Sequence, residues 1–279
     1  MCAIAASGIV TAAVLPASAA SARTAAQAPA SAASAACQSA TLPKLATRIS
    51  RGIRRALAGR DSDVGLAVAD PRFGLSCAIN SGGHFDAASA IKVTIISALL
   101  LKEHGYSHLT ATQRHLAWLM ITESDNDAAT ALWNDVGMRG MQRFLNAAGM
   151  RHTILNQAWG LTQLTAQDEL TLLGVLTSPG RLLSARSRGY VLSLMAHVEA
   201  GQRWGVPAGA PASVRVSVKN GWLPYPDSDD WHVNSIGAFL GRDVSYRIVV
   251  LTSGDPDEAY GIDTIEAAAR VINRDIAKG

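Results

Sequence analysis

The amino-terminal segment lacks charge: residues 2–22 carry no charged side chain, and Arg23 is the first. The segment is apolar, but Ala, Ser and Gly interrupt it too often for a membrane-spanning helix. Its small residues resemble the cleavage site of a secretory signal peptide, with cleavage after Ala19 or Ala22, although the usual basic start is missing. We therefore expect residues 1–22 to be a signal-peptide-like segment, the protein to be secreted, and no stable membrane span to remain after processing.

Cysteine is scarce, with three residues in a chain of 279. Cys2 lies in the segment that cleavage would remove, which leaves Cys37 and Cys77. In an oxidising compartment these two can pair, and the loop-entropy argument gives such a disulfide about 4 kcal/mol. A lipid anchor on Cys37 is the weaker alternative, because the residue three positions before this cysteine is not a large aliphatic one.

The sequence lacks the patterns of a nucleic-acid-binding surface and of a metal-binding site. Net charge is only +3, and the one concentration of basic residues, "RGIRRALAGR", is typical of the solvated face of an amphipathic helix. A nucleic-acid-binding surface needs a denser basic patch with aromatics beside it. The seven histidines are scattered and form no metal-ligand cluster. We therefore predict no nucleic-acid partner, no metal and no cofactor.

What is present is the pattern of a folded domain. The composition is 48% hydrophobic and 17% charged, which suits a single domain over residues 41–279. Residues 23–40 are rich in Ala, Ser and Thr, and we expect them to form a disordered leader. Strand patterns lie at 63–80 and 213–254, with helical patterns between them. We predict an α+β fold in three α/β/α layers, in which one antiparallel sheet is built from both chain ends and an all-helical subdomain is inserted at about 105–212.

A serine and a lysine stand at the start of the most apolar helix pattern, residues 89–104. Ser89 precedes Lys92 by three positions, which places the two side chains on neighbouring surface of a helix. The dipole and free N–H groups of a helix start favour an oxyanion, and apolar surroundings lower the pKa of a lysine. The pair therefore has the parts of a nucleophile and its base. The alternative is an ordinary helix start with a solvated lysine.

Two further stretches are weak indicators on their own. Ser124 and Asn126 stand in the sequence "SDN" between two helix patterns, where such residues commonly cap a helix. Lys219 ends a strand pattern and is followed by Asn220 and Gly221, the preferred connector of a two-residue hairpin. The long loop before the next strand weakens the hairpin interpretation.

Taken together and in this order, Ser-x-x-Lys, Ser-Asp-Asn and Lys-x-Gly make the chain similar to class A β-lactamases, of the superfamily of serine β-lactamases and penicillin-binding proteins. Phe85, the "ITESDNDAA" context and the "RIVVLTSG" strand extend this resemblance, of a kind common in actinobacteria, over roughly residues 40–279. It implies the β-lactamase/transpeptidase-like fold, an acyl-enzyme mechanism, and a β-lactam or cell-wall peptide as the small-molecule substrate. It also implies a part in β-lactam breakdown and the response to antibiotics.

The resemblance implies a role for each matching residue. Ser89 would be the acylated nucleophile, and Lys92 its base or proton relay. Ser124 would pass a proton to the leaving nitrogen. Asn126 would hold the side-chain amide of the substrate and touch Lys92. Lys219 would supply positive charge near Ser124 and the substrate carboxylate.

The last motif carries three further implied roles and one departure. Gly221 would let the substrate lie along the edge strand, and the backbone N–H groups of Ser89 and Trp222 would form the oxyanion hole. Asn220 stands where the family has a threonine. It keeps a hydrogen-bonding group there, so the binding of the substrate carboxylate would survive in altered form.

A second departure concerns release of the acyl group. Class A β-lactamases use a loop glutamate to activate water, whereas residues 151–169 contain no acid before Asp168, which falls in the next helix pattern. Gln163 can orient a water but is a poor base, and Glu123, beside Ser124, is the candidate replacement. Loss of a general base costs about 10²–10⁴-fold in rate. We therefore expect ready acylation and slow turnover of β-lactams.

Several functions stay open at this point. The first is a secreted, monomeric serine hydrolase acting on β-lactams or related amides. The alternatives are a D-Ala-D-Ala carboxypeptidase or penicillin-binding protein, a non-catalytic penicillin-recognition module, and an esterase or amidase on another acyl substrate.

Aromatic residues are concentrated in or near the loops beside the last motif. Trp204, Trp222, Tyr225, Trp231 and His232 either cover the edge of the sheet, which is the interpretation we favour, or form the wall of a substrate cleft.

Overall fold

The computed structural model describes residues 36–225, 228 and 230–278. The signal-peptide-like segment lies outside the described residues, as does most of the leader. The strands are β1 (Ala36–Ser39), β2 (Asp63–Asp70), β3 (Leu75–Ile79), β4 (Phe85–Asp86), β5 (Gln163–Leu164), β6 (Arg215–Tyr225), β7 (Asp230–Leu240) and β8 (Ser245–Asp255). The α-helices are α1 (Pro43–Leu57), α2 (Lys92–Lys102), α3 (Ala111–Trp118), α4 (Asn126–Ala148), α5 (Ala166–Thr177), α6 (Ala185–Ala196) and α7 (Glu258–Ile276).

Six of the strands form one antiparallel sheet in the order β1-β3-β2-β8-β7-β6. Strands β1 to β3 come from the first part of the chain and β6 to β8 from the last, so the pairing of β2 with β8 joins the two ends. Helices α1 and α7 pack together, α7 also packs on β7 and β8, and α5 packs on β2 and β8. The predicted α+β fold in three layers, with helices inserted between the halves of the sheet, is confirmed.

Strand β1 corrects the predicted extent of the leader. We expected residues 23–40 to be disordered, but Ala36–Ser39 pairs with β3 as the edge strand of the sheet. Cys37 lies directly opposite Cys77 and forms a disulfide with it, and the Cys37 N–H donates to Ser50 Oγ on α1 at 3.0 Å. Small residues give no strand signal in the sequence, and the strand forms here because a ladder partner and a covalent link fix it.

The helix that follows the nucleophile differs in detail from the predicted one. Residues Ala88–Ile91 form a 3₁₀ turn, and α2 begins only at Lys92. Every residue of α2 from Lys92 to Leu100 is buried, as its largely apolar sequence predicts. Gly137 has a positive φ of 67° and kinks α4 midway along its length.

Strand β6 overturns the hairpin alternative at Asn220 and Gly221. Both residues lie inside β6, which pairs with β7 without interruption from Arg215 opposite Leu240 to Tyr225 opposite Asp230. Because β6 is an edge strand, its backbone is hydrogen-bonded to a neighbouring strand, β7, along one edge only. The Lys-Asn-Gly sequence therefore lies along an open edge of the sheet. No helix of the described residues is long and apolar enough to cross a bilayer.

The disulfide is expected to stabilise the fold measurably. Replacing Cys37 with Ser should lower the free energy of unfolding by about 4 kcal/mol, because the bridge joins residues 40 positions apart. Urea unfolding of the oxidised protein and of Cys37→Ser measures the difference, and Cys77→Ser, which removes the other half of the bridge, should lose the same amount. Equal unfolding free energies for the oxidised protein and Cys37→Ser would contradict the expectation.

Candidate active site

The predicted nucleophile lies on a short turn that two strands hold in place. β4 pairs with β5 just before the turn, and the Ala87 N–H donates to the Thr162 carbonyl at 2.8 Å. Ser89 is half-buried, whereas Ala88 and Ala90 on either side of it are buried. The serine is thus the residue of this turn whose side chain remains open to a substrate.

The backbone of this turn is strained and tightly packed. Ala88 has a φ of 44°, in the left-handed region that costs a non-glycine residue about 1–3 kcal/mol. Strand β6 runs directly beside it: a Cβ atom at Gly221 would lie 2.5 Å from the Ser89 nitrogen and 2.7 Å from the Ala90 nitrogen. Glycine is therefore required at position 221 by the approach of the edge strand to the nucleophile, in addition to any contact with substrate.

Lys92 is fully buried, and its ammonium group meets three acceptors. Nζ donates to the Ser124 carbonyl and to Asn126 Oδ1, both at 2.7 Å, and to Ser124 Oγ at 3.2 Å. The ring of Trp159 lies 5.0 Å from Nζ. Burial lowers the pKa of Lys92 to about 7, although the carboxylate of Asp125 opposes the shift. A substantial fraction of Lys92 is therefore neutral near pH 7 and able to accept a proton.

Ser124 stands between two lysines. A π-helical turn, Leu119–Glu123, ends at Ser124, which adopts a left-handed conformation with φ of 60°. Asp125, the next residue, caps α4 by accepting from the Ala128 N–H at 2.6 Å. The cap is thus Asp125, and Ser124 is turned towards the lysines: Lys219 Nζ donates to its hydroxyl at 3.0 Å, opposite Lys92.

Lys219 is also fully buried. Its ammonium group donates to Ser124 Oγ and, at 2.8 Å, to the Asn220 carbonyl. Burial, reinforced by the Lys92 charge, lowers the pKa of Lys219 well below its usual range, while Glu199 acts in the opposite direction. Two lysines thus share one hydroxyl, and a proton that leaves either lysine has Ser124 as its neighbour.

Alternation along β6 separates the residues of the last motif. Lys219 and Gly221 face Ser124 and the nucleophile turn, so Asn220 and Trp222 face the other side of the sheet. There, Asn220 Nδ2 donates to the carbonyls of Gln202 and Trp204, both at 2.9 Å. Both amide protons of Asn220 are therefore used by backbone acceptors. Its part in substrate binding stays a prediction, and these bonds leave no amide proton for a carboxylate.

The aromatic residues beside the motif mostly pack on one another. The rings of Trp204 and Trp222 lie 5.8 Å apart, and those of Tyr225 and His232 lie 4.6 Å apart. All four are half-buried. Because the Trp222 side chain lies on the face away from Ser89, the Trp204–Trp222 pair covers the end of the sheet rather than the nucleophile. The backbone N–H of Trp222 stays our candidate for the oxyanion hole.

The carboxylates near the site, and the amide of Gln163, bind other groups or are exposed to solvent. Gln163 donates its amide to Asp86 instead of facing Lys92. The Asp168 carboxylate accepts from the His152 N–H and the Thr153 hydroxyl, both at 2.8 Å. Glu123 is exposed. Among the described residues no carboxylate lies within 4 Å of the Lys92 ammonium, since none of the ion pairs found there includes this lysine.

Glu169 is a separate case, because it is a buried acid that the sequence gave no reason to expect. Neither carboxylate oxygen has a hydrogen-bond partner among the described residues. Burial, and secondarily the charge of Asp168, raises the pKa of Glu169 to about 8. The group is mostly protonated at neutral pH and therefore is not a base available to the site.

Two residues next to the site were missed by sequence reasoning. Trp159 lies beside Lys92, and its indole N–H donates to Thr130 Oγ1 at 3.1 Å. Asn234 is fully buried on β7, and its amide binds the backbone of the nucleophile turn. The one signal for Asn234 was a lone amide in an otherwise apolar strand pattern, and Trp159 had none beyond its place in the short loop.

Comparison with known proteins agrees with the observed fold. A sequence model described as the beta-lactamase enzyme family matches residues 101–276. No curated protein matches the chain. A class A beta-lactamase from Bacteroides cellulosilyticus has a TM-score of 0.72 at 18% identity, covering 84% of this chain and 98% of its own. A beta-lactamase from Streptosporangium roseum has a TM-score of 0.69 at 20% identity, covering 84% and 100%.

Structures of PBP-A match the fold equally well. PBP-A has a TM-score of 0.71 at 19% identity, covering 84% of this chain and 97% of its own, and a mutant of PBP-A was solved as an acyl-enzyme complex with penicillin G. Identities this low show a shared fold, whereas the family model covers more than half of the chain. The protein is a member of the beta-lactamase enzyme family.

Proposed function

We propose that the protein is a secreted serine hydrolase that β-lactams or related cell-wall amides acylate at Ser89, and that it releases the acyl group slowly. The observation that carries this proposal is the surroundings of Lys92. Its ammonium group touches Ser124, Asn126 and the ring of Trp159, and no carboxylate of the described residues lies beside it. The arrangement supplies a buried amine and a proton relay one turn from Ser89, although Lys92 Nζ makes no hydrogen bond to Ser89 Oγ in the described structure, and it lacks a second base.

Acylation follows from the proton positions. Neutral Lys92 takes the proton of Ser89 as the serine oxygen attacks the carbonyl carbon of the substrate. A neutral amine keeps two protons for its two 2.7 Å bonds, so its single lone pair is left to accept the Ser89 proton, and the resulting ammonium group then donates to Ser124 Oγ. After the attack, the proton passes from Lys92 through Ser124 to the leaving nitrogen. Lys219 donates a hydrogen bond to the Ser124 oxygen during the transfer.

Hydrolysis of the ester needs a base that activates water next to the acyl carbon. An indole occupies the loop position beside Lys92, and the nearby acids are bound, exposed or protonated. Loss of such a base costs about 10²–10⁴-fold. The same observation favours a second candidate function, a D-Ala-D-Ala carboxypeptidase or penicillin-binding protein, because such a protein does not require rapid release of penicillin.

A covalent adduct with benzylpenicillin is the first expected result. Intact mass spectrometry of the mixed protein should show the mass of one penicillin added, persisting for minutes, because attack by Ser89 is supported and hydrolysis is not. Ser89→Ala should show no adduct. Consumption of penicillin without an accumulated adduct would overturn slow release, and absence of both adduct and consumption would overturn acylation by β-lactams.

The acylation rate is expected to rise with pH and to reach half its maximum near pH 7. Burial lowers the pKa of Lys92 to about 7, so the neutral base exists above that pH and is lost as pH falls through it. Lys92→Arg should slow acylation by about 10²–10⁴-fold, because a guanidinium stays protonated.

The matched control is Lys102→Arg, at the other end of α2. Ion pairs with Asp135 and Glu103 raise the pKa of Lys102 instead, so this variant should acylate like the unchanged protein. Stopped-flow acylation with a chromogenic cephalosporin between pH 5 and 9 measures both variants. A rate independent of pH across this range would refute the assignment of Lys92 as the base.

A further inference from the structure

Asn234 makes two hydrogen bonds to the chain just before the nucleophile. Its Nδ2 donates to the Asp86 carbonyl at 2.8 Å and to the Ala87 carbonyl at 3.1 Å, and the residue is fully buried. Ala87 is held at its other end as well, since its N–H donates to the Thr162 carbonyl. Two carbonyls in succession, followed by the strained Ala88, are therefore fixed to the sheet by one side chain.

The position of Asn234 on the sheet explains how it reaches this turn. Asn234 on β7 lies directly opposite Gly221 on β6, so both residues face the same side of the sheet. Val233, the preceding residue, faces the other side, where it packs against Gly261 of α7. Because Gly221 has no side chain, the turn lies close enough over β6 for the Asn234 amide to bind it.

The bonds act on a backbone that does not hold its conformation unaided. A left-handed φ at a non-glycine residue persists only where the surroundings impose it. Ala88, with its φ of 44°, is the residue between the two bound carbonyls and Ser89. Its conformation sets the direction of the Ser89 N–H and of the serine side chain. Loosening the turn would therefore misplace both the nucleophile and one predicted oxyanion donor.

The stability that its hydrogen bonds give the fold does not alone explain why an asparagine stands at position 234. Asn234 Oδ1 is buried with no hydrogen-bond partner among the described residues, a condition that costs about 1–3 kcal/mol. Asn273 on α7 offers a contrast. Its Nδ2 also donates to two carbonyls, of Val206 and Ala208, but its oxygen accepts from the Tyr246 hydroxyl at 2.8 Å. Both amides are fully buried, and Asn234 Oδ1, like Asn220 Oδ1 on the other face of the sheet, has no partner in the described part of the chain, whereas Asn273 is fully satisfied.

We propose that Asn234 is a positioning residue for the acylation reaction, which holds the turn Asp86–Ser89 against β6 so that the serine oxygen and the Ser89 N–H face the substrate. This inference rests on the proposed function only for its kinetic consequence. The positioning itself is a property of the folded protein without substrate. Asn234 touches no reacting atom in this account and acts through the backbone of residues 86–88.

The test compares Asn234→Ala with Asn273→Ala, which removes an equally buried amide with two carbonyl partners away from Ser89. Asn234→Ala should lower the maximal acylation rate by about 10²-fold, with little change in the concentration of β-lactam at half-maximal rate, because misplacing a reacting group by about 1 Å costs that much. Asn273→Ala should lower the free energy of unfolding and leave acylation within threefold. Asn234→Thr, which retains one donor and suits a strand, should fall between Asn234→Ala and the unchanged protein.

Hydrogen exchange followed by mass spectrometry gives a second reading without substrate. The peptide that contains residues 85–91 should exchange faster in Asn234→Ala and unchanged in Asn273→Ala. If Asn234→Ala does not fold, Asn234→Thr carries both measurements. Unaltered exchange in this peptide, or equal slowing of acylation by the two alanine variants, would overturn the inference. If the unchanged protein neither forms an adduct nor consumes penicillin, the proposed function fails, and the exchange result alone decides on Asn234.

Discussion

Burial of two lysines on either side of one hydroxyl is the constraint on which this molecule depends. Lys92 from a helix and Lys219 from the edge strand both reach Ser124, which a left-handed turn presents to them. Charged lysines are costly inside a protein unless acceptors surround them. The fold provides the carbonyls and the Asn126 amide that offset part of this cost, and the rest appears as a lowered pKa that makes Lys92 a base.

The same constraint explains why sheet and helix meet so closely. Lys219 reaches Ser124 only if β6 runs beside the nucleophile turn, and that approach leaves no room for a Cβ at Gly221. The space gained by the glycine lets Asn234 bind the turn from the next strand. Three features that look independent in the sequence, a lysine, a glycine two residues later and an asparagine in the next strand, are thus parts of one packing arrangement.

Much of the fold and of the candidate site could be predicted from the sequence. The features that were missed or predicted wrongly have identifiable physical reasons. The apolar residues around Lys92 predicted a buried helix, and the strand pattern at 63–80 predicted the region that β2 and β3 occupy, because strong periodicity marks such elements. The edge strand at Cys37 was missed because small residues carry no strand signal and the partner lies 40 residues away. Asn220 looked like a turn residue, since local preference for Asn-Gly does not register the pairing with Ser235. The placement of Trp159 and the direction of the Asn220 amide depend on contacts that no local pattern encodes.

The central claim is that Lys92 is a neutral base near pH 7, and its titration tests this most directly. The chain has five lysines, so ¹³C- and ¹⁵N-labelled lysine gives few side-chain signals, and Lys92→Arg assigns the one of interest. The account predicts that the Lys92 amine titrates near pH 7, far below the ordinary lysine value of about 10.4. Titration of this signal above about pH 9 would contradict it, because Lys92 would then be charged at neutral pH and unable to take the proton of Ser89.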